Sequence, residues 1–324
     1  MICGIWLGQQ EVVRLGESIV VTSTQELERA TYALITYYNY IKAWVICING
    51  LYGSGDDGIN AFIAKIKCST AFKRVQGGGL TSSQLINAYS RGRLTLRAMQ
   101  KLPIEKHPEL ALSANFWLPV QAYYAIHGVG LATMIALDRG SPKGHRSFCA
   151  VFSELVDKYF PDPLCGCCVG GPGREDFSFH KLRTSIDKVT RQSQLANPEF
   201  VEDVEDIIGK SLLTTRTRIL DFLFSKRRSE KKKAGKRNLS SAEKRGCCQR
   251  EHATSICDLM YRMRVRSNYD NPDMYLFAPD NAENACNHYR DLRYLTEILL
   301  AGLDALIERR TGSGEMARLR SRFE

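Results

Sequence analysis

The sequence has no long uninterrupted apolar run. Its most hydrophobic stretch, Ala30–Tyr52, is rich in tyrosine and broken by Asn39, Lys42 and Asn49. A membrane span needs about 20 nearly continuous apolar residues, so a buried helix is expected and a membrane role is not. The opening MICGIWLGQQEVVRLGE lacks a basic leader and carries Glu11 and Arg14, which argues against a secretion signal. Eleven cysteines without such a signal point to a reducing, cytoplasmic setting. Several chemical signatures are missing as well. Gly77-Gly78-Gly79 has neither a Gly-Lys-Ser/Thr ending nor a strand before it, so it reads as a connector and not as a phosphate loop. No serine triad, paired acidic motif or nucleotide-binding fingerprint stands out. Cys165, Cys167 and Cys168 (with His145, Cys149 or His180) and Cys247, Cys248, His252 and Cys257 lack the paired C-x₂-C spacing of a zinc site. Adjacent cysteines on a helix also point about 100° apart. No metal and no cofactor is assigned.

What is present is helical periodicity and concentrated charge. Outside EVVRLGESIVVT (11–22), which reads as a short hairpin or simply an extended arm, the chain shows no alternating strand pattern and no repeat. Helices are expected over Thr24–Asn49, 59–75, Thr81–Leu102, Ala114–Leu137, Ser147–Phe160, Phe179–Leu195 and Pro198–Phe224, with Pro119 near a first turn or at a kink. The segment Pro161–Asp176, dense in proline, glycine and cysteine, reads as a loop. The formal charge is +10. Lys226–Arg245 carries ten basic residues against two glutamates, so most of the excess sits in one segment. That segment reads as a basic linker over 226–239, either solvated or in contact with a polyanion. Lys226, Arg227, Arg228, Lys231, Lys232, Lys233, Lys236 and Arg237 are its candidate nucleic-acid contacts.

The organising stretch is SSAEKRGCCQREHATSICDLMYRMRVRSNYDNPD, Ser240–Asp273. Ser240 and Glu243 have capping-box spacing, and Ile256, Leu259, Met260 and Met263 fall on one helix face. Asn271 precedes a proline and stops the helix. Arg262, Arg264 and Arg266 crowd its last turn, where the helix dipole favours cations. A long helix follows from Asp280-Asn281 to about Arg310, with Tyr289, Leu292, Leu295, Leu299, Leu303 and Leu306 on its apolar face. A frayed tail is expected over 311–324.

This arginine-ended helix, loop and long last helix resemble the C-terminal half of a HEPN (higher eukaryotes and prokaryotes nucleotide-binding) domain. The stretch ANFWLPVQAYYAIHGVGLATMIAL resembles the helix of that domain carrying "YYA" before a histidine. The resemblance implies an all-α, HEPN-like helical bundle over 111–310, with additional N-terminal helices over 1–110. It also implies RNA as partner, a homodimer or a larger complex with a protein partner such as an antitoxin, and a bacterial toxin or antiviral defence context. Catalytic relatives are metal-independent ribonucleases carrying arginine, four to six residues, then histidine. Here Arg264 is followed after four residues by Tyr269, a weaker base, because a phenol with pKa about 10 is roughly one part in a thousand ionised at pH 7. Arg264 and Tyr269 are the catalytic candidates, with a histidine from elsewhere as a possible substitute. In a dimer, Arg262, Arg266 and Asn268 would line the same groove and hold nucleic-acid backbone. The spacing also occurs at Arg139–His145, Arg174–His180 and Arg245–His252, the first two in or beside loops. Arg264 could instead pair with Asp270 or Asp273, and His127 reads as a hydrogen-bonded core histidine. Two further readings remain open: a non-catalytic RNA- or nucleotide-binding subunit or adaptor, and a helical protein-binding scaffold.

Overall fold

Apolar side chains recur every three or four residues between Ala285 and Ile307. A helix with that spacing must bury a wide stripe, and this one lies at the centre of the molecule. The computed structural model describes residues 5–7, 10–15, 18–79, 81–171, 178–179, 204–233, 238–270 and 281–323. In chain order these form β1 (Ile5–Leu7), β2 (Gln10–Leu15), β3 (Ser18–Ser23), α1 (Thr24–Tyr52), α2 (Gly55–Cys68), α3 (Thr70–Lys73), α4 (Ser83–Gln100), α5 (Glu109–Ala136) and α6 (His145–Tyr159). Then follow β4 (Cys168–Val169), β5 (Ser178–Phe179), α7 (Val204–Lys233), α8 (Ser241–Arg250), α9 (Ile256–Val265), a π turn (Arg266–Asp270), α10 (Ala282–Thr311) and α11 (Ser313–Arg320). The chain is mostly helical, as the periodicity implies.

On α10, Leu292, Leu295, Leu299, Leu303 and Leu306 are fully buried and Tyr289 nearly so, the stripe read from the sequence. Its N-cap is Asn281, which accepts the Asn284 N–H at 2.7 Å. Buried residues of α1, α2 and α4 form one cluster with those of α5, α9 and α10. Antiparallel pairing of β2 with β3 forms the expected hairpin, and β1 adds a third strand.

Several boundaries move, each for a local reason. Helix α5 begins at Glu109, so Pro119 lies in its interior. Residues 226–233 are not a linker: they are the last turns of α7, because Lys, Arg, Glu and Ser continue a helix and no glycine or proline intervenes before Gly235. Lys231 is pinned there, donating to Glu243 at 2.8 Å and to the Asn238 carbonyl at 2.9 Å. Lys236 and Arg237 lie outside the described residues. So does most of the helix expected over Phe179–Leu195, while Phe179 itself pairs with Cys168 as strand. Residues 313–320 are helical and not a frayed tail, since Met316 and Leu319, three apart, are buried at 1% and 2% exposure.

The core buries an imidazole. His288 on α10 stacks on Tyr38 with ring centres 4.1 Å apart, and both its nitrogens are buried without hydrogen-bond partners. Burial pushes its pKa down to about 3. The unfolded imidazole takes its proton near pH 6.5, whereas the folded one stays neutral. Stability present above pH 6.5 is therefore lost as pH falls toward 3, at about 1.4 kcal/mol per unit. Between pH 6.5 and pH 5, His288 is expected to contribute a loss of about 2 kcal/mol. Urea titrations at both pH values on wild type and His288→Phe check this; an equal acid decline in both proteins would refute it.

Candidate functional site

Helix α9 places the predicted arginines. Its N-cap Ser255 accepts the Cys257 N–H, and Asp258 reaches back to the Ser255 N–H at 2.9 Å, a full capping box. Ile256, Leu259, Met260 and Met263 are all fully buried and fix its rotation. Successive residues turn by about 100°, so Arg262 and Arg266 share one side while Arg264 points away from both. The groove expected to hold all three is therefore divided between two faces of α9.

Arg264 is 8% exposed. Its guanidinium carbon lies 5.1–5.9 Å from the ring centres of Tyr123, Tyr124, Tyr261 and Tyr269, within cation–π range. Its Nη2 donates to the Tyr124 hydroxyl at 2.9 Å, and its Nε is buried without an acceptor. Asp273 and the Asp270 side chain lie outside the described residues; no described carboxylate pairs with Arg264. The π turn after α9 sets down Tyr269 at 69% exposure and buries Ser267, which bonds the Phe116 carbonyl. Asn268 is half-buried on that turn. Single π turns within helices frequently accompany functional sites.

Two histidines complete the cluster. His145, the first residue of α6, shares a hydrogen bond between its Nδ1 and the Tyr123 hydroxyl at 2.8 Å and stacks on Tyr261 at 5.2 Å. His127, one turn after Tyr123 and Tyr124 on α5, lies 5.5 Å from His145 and 4.3 Å from Phe148 between ring centres. It is half-buried, with aromatic neighbours and no hydrogen-bond partner among the described residues, unlike the bonded core histidine expected. Burial, then His145, Arg91 and Arg264, push its pKa down to about 4. Burial and Arg264 lower that of His145. Both imidazoles are neutral at pH 7, beside a fixed positive charge. In the tautomer with the proton on Nδ1, that N–H donates to the Tyr123 hydroxyl and Nε2 of His145 is left as a base; burial makes the Tyr123 phenol hold its own proton more tightly. His145 also borders a cleft of about 550 Å³ lined by Lys143, Arg146, Arg250 and His252.

The backbone holds this arrangement at two places. Helices α4 and α5 cross at Gly92 and Gly128, where a Cβ on Gly128 would sit 2.5 Å from the Gly92 nitrogen. That contact brings Arg91 beside His127. At the other edge α8 and α9 are separate helices, not the single one expected over Ser240–Ser267. The Ser240–Glu243 capping box opens α8 as read. Thr254 then pairs with Cys168 through two backbone hydrogen bonds of 2.9 Å, and Ser255–Asp258 starts a second helix.

In the break, His252 lies between Glu251 and Asp258, each 2.9 Å from a ring nitrogen. Burial opposes its charge, but the two carboxylate hydrogen bonds win and lift its pKa to about 9. Arg146 closes the group on Glu251. The 8%-exposed Glu251 and the deeply buried Asp258 thus share a protonated imidazole as counter-charge.

Arg264 and Tyr269, the candidates read from the sequence, lie 5.9 Å apart from guanidinium carbon to ring centre. Sequence reasoning did not single out His145 for catalysis, nor Tyr123, Tyr124 and Tyr261. The signal for half of them was Tyr-Tyr-x-x-His at 123–127, one face of a helix. Of the basic segment, Lys226, Arg227, Arg228, Lys232 and Lys233 are exposed on α7; none lines the clefts described here. Among the described residues no three His, Cys, Asp or Glu side chains form a metal-binding group, and no helix is long and apolar enough to cross a membrane. Comparison with family models, with curated proteins and with solved structures finds no match.

Proposed function

We propose that this chain acts on RNA as a HEPN-like, metal-independent endoribonuclease, of the kind used in toxin and antiviral defence systems. The observation that carries the reading is His145, a neutral imidazole at a cleft wall, set beside the Arg264 guanidinium. Nε2 of His145 takes the proton of a 2′-hydroxyl, the 2′-oxygen bonds to the adjacent phosphorus, and the bond from phosphorus to the 5′-oxygen breaks. A 2′,3′-cyclic phosphate and a 5′-hydroxyl result. Arg264, with Arg146 and Lys143 on the cleft side, supplies positive charge for the phosphorane. The Tyr124 hydroxyl, to which Arg264 donates, returns a proton to the leaving oxygen. Tyr269 serves as an exposed ring, a surface for a base in place of the base catalyst suggested by its spacing.

Positioned proton transfer is worth about 10²–10⁴-fold. Incubation of mixed RNA with the full chain in EDTA is expected to give cyclic-phosphate ends. His145→Ala should slow this by about 100-fold or more, while the exposed His107→Ala should not. Equal rates in wild type and His145→Ala would sink the catalytic reading. The burial of Arg264 favours a second reading, a binding subunit in which the tyrosine box is structural. Salt-sensitive RNA binding without cleavage would select it.

A further inference from the structure

Arg262 on α9 and Arg266 one turn on, at the start of the π turn, line with Arg218 on α7 a cleft of about 470 Å³. The Arg262 guanidinium carbon lies 5.4 Å from the Tyr37 ring centre, and its Nη1 donates to the Thr215 hydroxyl at 3.3 Å. It is largely desolvated, and burial together with Arg266 and Arg218 weakens its hold on its proton. Among the described residues no carboxylate pairs with any of these three arginines. Three like charges, two of them half-buried, repel each other and leave an unfilled demand for an anion.

Apolar side chains line the cleft beside the arginines on the same two elements: Ile219, Leu223 and Val265, with Phe222 standing out at 68% exposure; Asp258, also on the lining, is engaged by His252. A ligand for this cleft therefore joins a compact anion to a flat apolar body. Guanidinium forks match phosphate oxygens, and an exposed aromatic ring beside them offers a surface on which a base stacks. An unpaired strand turns a base out in this way at little cost, whereas a duplex must first unstack and unpair it. Arg146 and His252 line both this cleft and the one bordered by His145, so the two are neighbouring stretches of one path.

We propose that the α7–α9 cleft seats one nucleotide of a single-stranded RNA, its base against Phe222 and its phosphate among Arg218, Arg262 and Arg266. This rests on the RNA reading for the identity of the strand, and it names the substrate as unpaired RNA. The test uses a 2′-O-methyl RNA hexamer, which cannot undergo 2′-hydroxyl attack, so binding is measured apart from cleavage. Fluorescence anisotropy with the full chain should show Phe222→Ala weakening binding about 10-fold. The double variant Arg218→Gln/Arg266→Gln should lower the slope of log affinity against log salt by about 0.7, the value for one phosphate of a single strand. Phe222 and Arg218 are exposed, and circular dichroism should show these variants folded.

Equal binding of a hexamer duplex, a mononucleotide or an acidic peptide of matched charge would overturn the assignment. Unchanged hexamer binding in both variants, with His145-dependent cleavage intact, overturns the cleft and spares the RNA reading. Failure of wild type to bind or cleave any RNA removes both.

Discussion

Gly128→Ala is expected to destabilise the protein by about 3 kcal/mol or more, at the upper end for overpacking. The added Cβ would lie 2.5 Å from the Gly92 nitrogen, 2.6 Å from its Cα and 2.9 Å from the Ala88 carbonyl oxygen. These are backbone atoms of α4, so no side chain can rotate away, and α4 and α5 must move apart. Both helices are buried along that seam, and separation opens packing over several turns. The midpoint of thermal unfolding should fall by about 6 °C or more, at roughly 2 °C per kcal/mol for a chain of this size. Gly314→Ala in α11 meets nothing within 4 Å and should be neutral or slightly stabilising, since alanine restricts the unfolded chain. Matching thermal midpoints for the two variants would show that the helix crossing tolerates a methyl group. The same displacement moves Arg91 away from His127.

The second large effect concerns Arg216, 1% exposed in α7. Its Nε donates to the Gly170 carbonyl at 2.8 Å, its Nη1 to the His252 carbonyl at 2.5 Å and to the Thr254 hydroxyl at 3.3 Å, and its Nη2 to the Cys248 carbonyl at 3.1 Å. One planar fork thus ties α7 to the β4 loop and to the break between α8 and α9. Methionine fills similar volume but donates nothing. It would leave buried carbonyls unpaired at about 1–3 kcal/mol each, for a loss of about 5 kcal/mol. The orientation of α9, and with it Arg264, would also be released. Arg216→Lys keeps the charge but lacks the fork, so it should recover only a minor part of the loss. A lysine variant as stable as wild type in urea denaturation would show that charge alone, and not the fork, sets the junction.

The helical architecture was legible because it rests on spacing along one chain. The leucine stripe of α10 and the α9 face at Ile256, Leu259, Met260 and Met263 needed only the 3.6-residue period to be read. The Ser240–Glu243 capping box needed only local hydrogen bonding. The break at Glu251–Ser255 was harder. Ser255–Asp258 repeats a capping signature, yet nothing local says that Thr254 will leave the helix to pair with Cys168, 86 positions earlier in the numbering. The basic run at 226–233 shows the reverse error: charge suggested a linker, but lysine and arginine propagate a helix well when no breaker intervenes.

For the site, the sequence by itself determined that Arg264 ends a helix near Tyr269 and that no histidine follows at the usual spacing. The tertiary structure alone decided that imidazoles reach that arginine from α5 and α6, and that Arg262 and Arg266 serve a different cleft. The physical reason is that periodicity fixes which face of a helix is buried, while the partner of each remaining face is set by packing between distant segments. The Gly92–Gly128 crossing and the Arg216 fork are such long-range contacts, and through them His127, His145 and Arg264 share one site.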